Sequence, residues 1–118
     1  MVRVEAVLDG GGVLRLCRAS GHAGAGRTGS DVVCAAVSVL MRTAVRVLSG
    51  REGVSVRCEA PEPGFLLLET DCSAGGTEFL RAVGAFLLEG LASVAEEFPD
   101  FCSLSIKTED VNGKETRR

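Results

Sequence analysis

The chain of 118 residues has no tryptophan, no tyrosine and only five phenylalanines. Aromatic platforms on which nucleic-acid bases stack are therefore scarce. Positive charge is not in excess either: 13 Lys and Arg stand against 16 Asp and Glu, a net charge of -3. A protein that grips phosphate backbones carries a basic face, so no direct nucleic-acid partner is expected. There is one histidine, His22, and no Cys-x-x-Cys pair. Those absences remove the common zinc-ligand sets, and neither a metal nor a cofactor is expected. Nothing approaches the roughly 20 consecutive apolar residues that span a bilayer, so no membrane segment is expected. No signal-peptide run is visible at the N-terminus. The five cysteines (Cys17, Cys34, Cys58, Cys72 and Cys102) are odd in number and widely spaced. That is the pattern of reduced thiols in a cytoplasmic protein.

What is present is enough for one globular domain. At 46% hydrophobic residues the chain can fill a single core, and its length does not suit two. Val2, Val4, Ala6 and Leu8 alternate with Arg3, Glu5 and Val7, as in a half-buried strand. Asp9-Gly10-Gly11-Gly12 reads as a turn, and Val13 to Ala19 as the returning strand. Residues 21–30 form a glycine-rich loop. Val33, Val37, Leu40, Met41, Ala44 and Leu48 then recur at helical spacing, and Gly50 stops that helix. Val54, Val56 and Cys58 alternate as a third strand. Phe65 to Thr70 forms a fourth after a proline-containing turn. A second helix runs from about Gly75 to Phe98, with Phe79, Val83, Phe86, Leu87, Leu91 and Val94 on one face. Pro99-Asp100 breaks it, and Cys102, Leu104 and Ile106 form a last strand. Residues 109–118 are polar and are expected to be a disordered tail.

The predicted order is ββαββαβ within residues 1–108. Hairpins with two helices define an α+β fold, a mainly antiparallel sheet with both helices packed on one face. Cys17, Cys58, Cys72 and Cys102 read as core positions. A contact between Cys58 and Cys72 across the second hairpin is conceivable, although the expected compartment does not suggest a disulfide.

The chemistry concentrates between residues 20 and 40. His22 lies in the glycine-rich loop, and twelve positions later Cys34 falls near the start of the first helix. Ser30 or Asp31 can cap that helix. Free amides and the helix dipole at such an end favour a thiolate. The same amides, including that of Cys34, can hold an oxyanion. A loop with glycines at 21, 24, 26 and 29 can fold His22 back over the sulfur, giving a nucleophile and base pair. Read blandly, Cys34 is a small core residue and His22 a surface histidine. Asp31 either caps the helix or orients His22. Ser38, four residues after Cys34, either bonds back to its own helix or lines a cleft near the sulfur.

Gly24-Ala25-Gly26-Arg27-Thr28-Gly29 also fits the form G-x-G-x-x-G. A dinucleotide site needs that loop in a parallel βαβ unit, whereas the strand before it here belongs to a hairpin. The phosphate-loop pattern fails for want of Gly-Lys-Ser/Thr.

Residues 20–40 read Ser-Gly-His-Ala-x-x-Gly-x-x-Gly-x-Asp-x-Val-Cys-Ala-Ala-Val-Ser-x-Leu. This resembles the signature of the ribosomal-processing cysteine proteases (Prp), and element order and length extend the resemblance to about residue 107. The resemblance implies a cysteine endopeptidase that removes a short N-terminal extension from bacterial ribosomal large-subunit protein twenty-seven, cutting after an aromatic residue. It implies Cys34 as nucleophile and His22 as general base, with Gly21, Asp31 and Ser38 at motif positions of supporting or substrate-binding role. A homodimer and a mobile loop over the site are implied as well. The alternative is a non-catalytic ribosome-associated or scaffolding protein of the same fold.

Overall fold

In the computed structural model, residues 1–21, 28–109 and 115–117 are described, with backbone alone for 28–31 and 115–117. Strand β1 (Val2–Leu8) shows the expected alternation: Val2, Val4, Ala6 and Leu8 are all buried. It turns into β2 (Leu14–Ser20) through a turn organised by Asp9. The Asp9 carboxylate accepts from the amides of Gly11 at 2.9 Å and Val13 at 3.0 Å, and from Arg15 Nε at 3.0 Å. Helix α1 (Thr28–Leu48) follows, then β3 (Val54–Glu59), β4 (Phe65–Cys72), α2 (Thr77–Glu97) after a short 3₁₀ turn, and β5 (Cys102–Glu109). The expected ββαββαβ order holds. A short strand β6 (Glu115–Arg117) adds to it, pairing antiparallel with the end of β5.

The sheet order is β3-β4-β2-β1-β5-β6. Four of its pairings are antiparallel, and β1 with β5 is the parallel one. One face carries cross-strand ion pairs at register partners, Arg18 with Glu5 and Arg57 with Glu69. Such pairs suit a solvated face. Both helices cover the opposite face, with β1, β2 and β4 beneath them in one apolar core. This is the α+β arrangement the sequence predicts.

The α1 stripe is also as predicted: Val33, Val37, Met41, Ala44 and Leu48 are buried and Leu40 partly so. Gly50, at φ +77°, follows its end. Helix α2 corrects the expectation. Its buried line is Leu80, Gly84, Leu87, Leu91 and Val94, while Phe86 is 76% exposed. The cause is Gly84, where a Cβ would stand 2.9 Å from the Cβ of Leu14. The bare backbone lets α2 settle on β2 and turns Phe86 outward. Phe79 is half-buried, with the Arg51 guanidinium 3.9 Å over its ring.

Cys58 is a second correction. It is exposed, because β3 is the sheet edge and its burial fades after Val56. Cys72 pairs in register with Val54, not Cys58. Four residues of strand separate the two positions, about 13 Å, which excludes a contact. The third correction is the polar tail: residues 115–117 form the edge strand β6, since an edge strand needs backbone pairing and no apolar face. Residues 110–114 and 118 lie outside the described residues.

Candidate functional site

The site is a cleft of about 600 Å³ between α1, the end of β2 and the turn joining β3 to β4. Its floor is apolar, made by Val2, Ala19, Val37 and Leu66, all buried. One wall is a single stripe of α1: Cys34, Ser38 and Arg42. A spacing of four residues places successive side chains one above the next on a helix face. The facing wall is the turn of Pro61, Glu62, Pro63 and Gly64 with Phe65 behind it. Gly64 takes φ +81°, and the Phe65 amide closes the turn on the Glu62 carbonyl at 3.2 Å.

Gly21 ties the end of β2 to the turn wall. Its amide donates to the Gly64 carbonyl at 2.9 Å. Its φ is +125°, and a Cβ there would sit 2.1 Å from the Met1 carbonyl oxygen. No other residue fits without moving the N-terminal strand, so the Gly21 of the sequence signature holds the cleft in shape.

Cys34 is half-buried and is the one cysteine of the five that lines this cleft. The others are placed for different ends. Cys17 is fully buried, and burial pushes its thiol up to about 12. Burial, and then the nearby Cys34, raises the thiol of Cys102. Cys72 lies beside Arg15 and Thr77 at the other end of the hairpin. Access to the cleft therefore singles out Cys34.

Of the predicted site residues, the fold brings Gly21, Cys34 and Ser38 to one cleft. Ser38 lines that cleft, one of the two roles its spacing allowed. His22 lies outside the described residues, immediately after Gly21. Position 31 falls within α1 one turn ahead of Cys34, and its side chain is outside the description. Two local expectations are corrected. The helix already includes Thr28, so positions 30 and 31 lie inside it and not at an N-cap position. Cys34 is then its seventh residue. The free amides of a helix are its first four, so the Cys34 amide is engaged within the helix and is not an oxyanion donor.

Arg42 and the 60–65 turn were not anticipated. Arg42 was legible in principle, as the next member of the stripe 34, 38, 42. The turn was not, because only the pairing of β4 with β2 carries it to the cleft.

A thiol beside an apolar trough open along a helix suits attack on an extended peptide. The cysteine protease Prp family model matches residues 1–103. The chain belongs to that family. Solved structures agree with the fold. SMU.848 from Streptococcus mutans is 28% identical with a TM-score of 0.76, over 92% of this chain and 95% of that one. The ribosomal processing protease Prp from S. aureus with a substrate peptide is 19% identical with a TM-score of 0.77, over 91% of this chain and 100% of that one. The same protease with a covalently linked product peptide gives 20% identity, a TM-score of 0.75 and coverage of 91% and 100%. No curated protein sequence matches significantly. Among the described residues, no helix is long and apolar enough to cross a membrane.

Proposed function

We propose that this protein is a cysteine endopeptidase that removes the N-terminal extension of bacterial ribosomal large-subunit protein twenty-seven, cutting after an aromatic residue. The observation that carries the reading is Cys34, half-buried yet lining a peptide-sized cleft, in a chain of the cysteine protease Prp family. The S. aureus protease of the same fold is known with a substrate peptide and with a covalently linked product peptide, which supports a peptide and a covalent intermediate here.

In this reading His22 is the general base. It takes the thiol proton as Cys34 Sγ attacks the scissile carbonyl. The proton then passes to the leaving amine as the C–N bond breaks. Water cleaves the resulting thioester and releases the extension. The apolar floor takes substrate side chains next to the cut. Asp31 and Ser38 support the site, Asp31 toward His22 and Ser38 against the bound chain. The protein works in the cytoplasm as a homodimer. Val39 and Phe86, 63% and 76% exposed on the two helices, support a second copy covering that side.

Rapid mixing with a peptide spanning the processing site, followed by intact-protein mass spectrometry, tests the mechanism. An adduct with the mass of the extension, mapped to Cys34, is expected. Turnover without any adduct, undiminished in Cys34→Ala, would overturn it.

A further inference from the structure

Cys34 has a second thiol near it that the peptide-cutting chemistry does not use. Val2 lines the cleft together with Cys34. On the adjacent parallel strand, Cys102 is the register partner of Val2. Both are buried on the sheet face that the helices cover. Neighbouring strands stand about 4.8 Å apart, so Cys102 lies one strand behind the cleft floor. Cys34 packs on the core cluster that holds both residues. Negative charge on Cys34 is felt at Cys102, whose thiol it raises in addition to burial. The backbone around Cys102 is held. Its amide donates to the Phe98 carbonyl at 3.0 Å, and the Val2 amide donates to the Phe101 carbonyl at 2.8 Å.

The other thiols are placed elsewhere. Cys58 is exposed on the edge strand β3, and Cys72 lies beside Arg15 and Thr77. Cys17 pairs with Ala6. Ala6 is four residues along β1 from Val2, about 13 Å.

Cys34 and Cys102 differ in access. The cleft admits small solutes to Cys34, whereas Cys102 is closed to solvent. A peroxide therefore meets Cys34 first. The O–O bond of hydrogen peroxide takes two electrons from the sulfur, Cys34 becomes a sulfenic acid, and water leaves. The Cys102 sulfur then attacks the Cys34 sulfur and the S–O bond breaks. The leaving hydroxide takes the Cys102 proton and departs as a second water. A disulfide remains. A dithiol reductant returns two electrons, becomes a disulfide itself and restores both thiols. A sulfenic acid with no thiol beside it goes on instead to sulfinic acid, which dithiols do not reverse. All five cysteines are free in this structure, which is the reduced state.

We propose that Cys34 and Cys102 form a reversible disulfide that switches the nucleophile off under peroxide and protects it from irreversible oxidation. The switching role rests on the peptidase reading above, and the cross-link itself does not.

The test treats reduced parent protein with a small molar excess of hydrogen peroxide, blocks the remaining thiols with iodoacetamide and digests with trypsin without reduction. Cys34 falls in peptide 28–42 and Cys102 in peptide 82–107, and neither holds another cysteine. The expected product is these two peptides joined, about 2 Da lighter than their sum. Cleavage of a Phe-containing peptide is lost as the link forms and returns with dithiothreitol. Cys102→Ala cleaves like the parent before treatment. Afterwards its Cys34 is sulfinic or sulfonic acid, and dithiothreitol restores nothing. Oxidation of Cys34 without the link, a link to a different cysteine, or no reaction at Cys34 overturns the switch and leaves the peptidase. Formation of the link in a parent protein that cuts no peptide before treatment overturns the peptidase reading and leaves the disulfide.

Discussion

The amide of Gly21 donates to the carbonyl of Gly64 at 2.9 Å, tying the exit of β2 to the turn that walls the cleft. Gly21 also packs against Met1 with no room for a side chain. Gly21→Ala is therefore expected to cost stability and activity together. Strain at positive φ contributes about 1–3 kcal/mol, and relief of the overlap requires backbone movement beyond that. Urea unfolding should show a lower midpoint with an unchanged slope. A variant as stable as the parent would mean that the backbone at position 21 is free to move.

Cys34 lines the cleft without filling the deep core. Cys34→Ala should leave stability within about 1 kcal/mol while peptide cleavage falls about 10³-fold or more. Thermal unfolding and a fluorogenic peptide assay on the same samples separate the two effects. Residual cleavage close to the parent level would place the nucleophile elsewhere.

Alkaline stability is set in part by Cys17. Burial raises its thiol to about 12 in the folded protein, against 9.0 for an ordinary cysteine. Below 9.0 both folded and unfolded states hold the proton, and stability is complete. Between 9.0 and about 12 only the unfolded chain releases it, so unfolding gains with each unit of pH. One such group removes at most about 1.4 kcal/mol per pH unit. The buried thiol of Cys102 acts in the same direction. Chemical unfolding across this range should show stability falling, and Cys17→Ala should fall less steeply. Parallel slopes for parent and variant would contradict the assignment.

Acid acts through Asp9. Burial pushes its carboxyl up, but the amides of Val13 and Gly11 and the Arg15 guanidinium outweigh that and leave it below 3.8. A lowered folded value means stability present above 3.8 and lost as pH falls through the folded value. Asp9→Asn should therefore be less stable at neutral pH and converge with the parent in strong acid. Circular dichroism melts over that range report the difference.

Gly84 sets how closely α2 lies on β2. Gly84→Ala brings a Cβ to 2.9 Å from that of Leu14. Overpacking of this kind costs about 1–3 kcal/mol, more than the helix propensity of alanine returns. A stabilised variant, measured by its melting temperature, would show that the two elements have slack between them.

The sequence patterns that depend on neighbours along the chain were legible. Alternation marked β1, helical spacing marked the buried stripe of α1, and the residues 20–40 pattern marked Gly21, Cys34 and Ser38 before any fold was known. The rest depended on contacts across the chain. Phe86 looked like core because an apolar residue beside Leu87 scores as well as its neighbour. Gly84, which scores as nothing, decides the face. Cys58 alternated correctly but sits on an edge strand, which periodicity cannot reveal. Ser30 and Asp31 suit a helix cap by residue type, yet α1 already includes Thr28, in a glycine-rich segment that carries little helical signal. Arg42 and the 60–65 turn line one cleft only because β4 pairs with β2 and brings its turn opposite α1.

The most direct measurement is mass spectrometry of the precursor of ribosomal large-subunit protein twenty-seven after incubation with this protein, beside Cys34→Ala and His22→Ala. The account predicts a single cut after an aromatic residue near the precursor's N-terminus, absent with either variant. An intact precursor after incubation with well-folded parent protein would contradict it, and would favour a binding role for the same cleft.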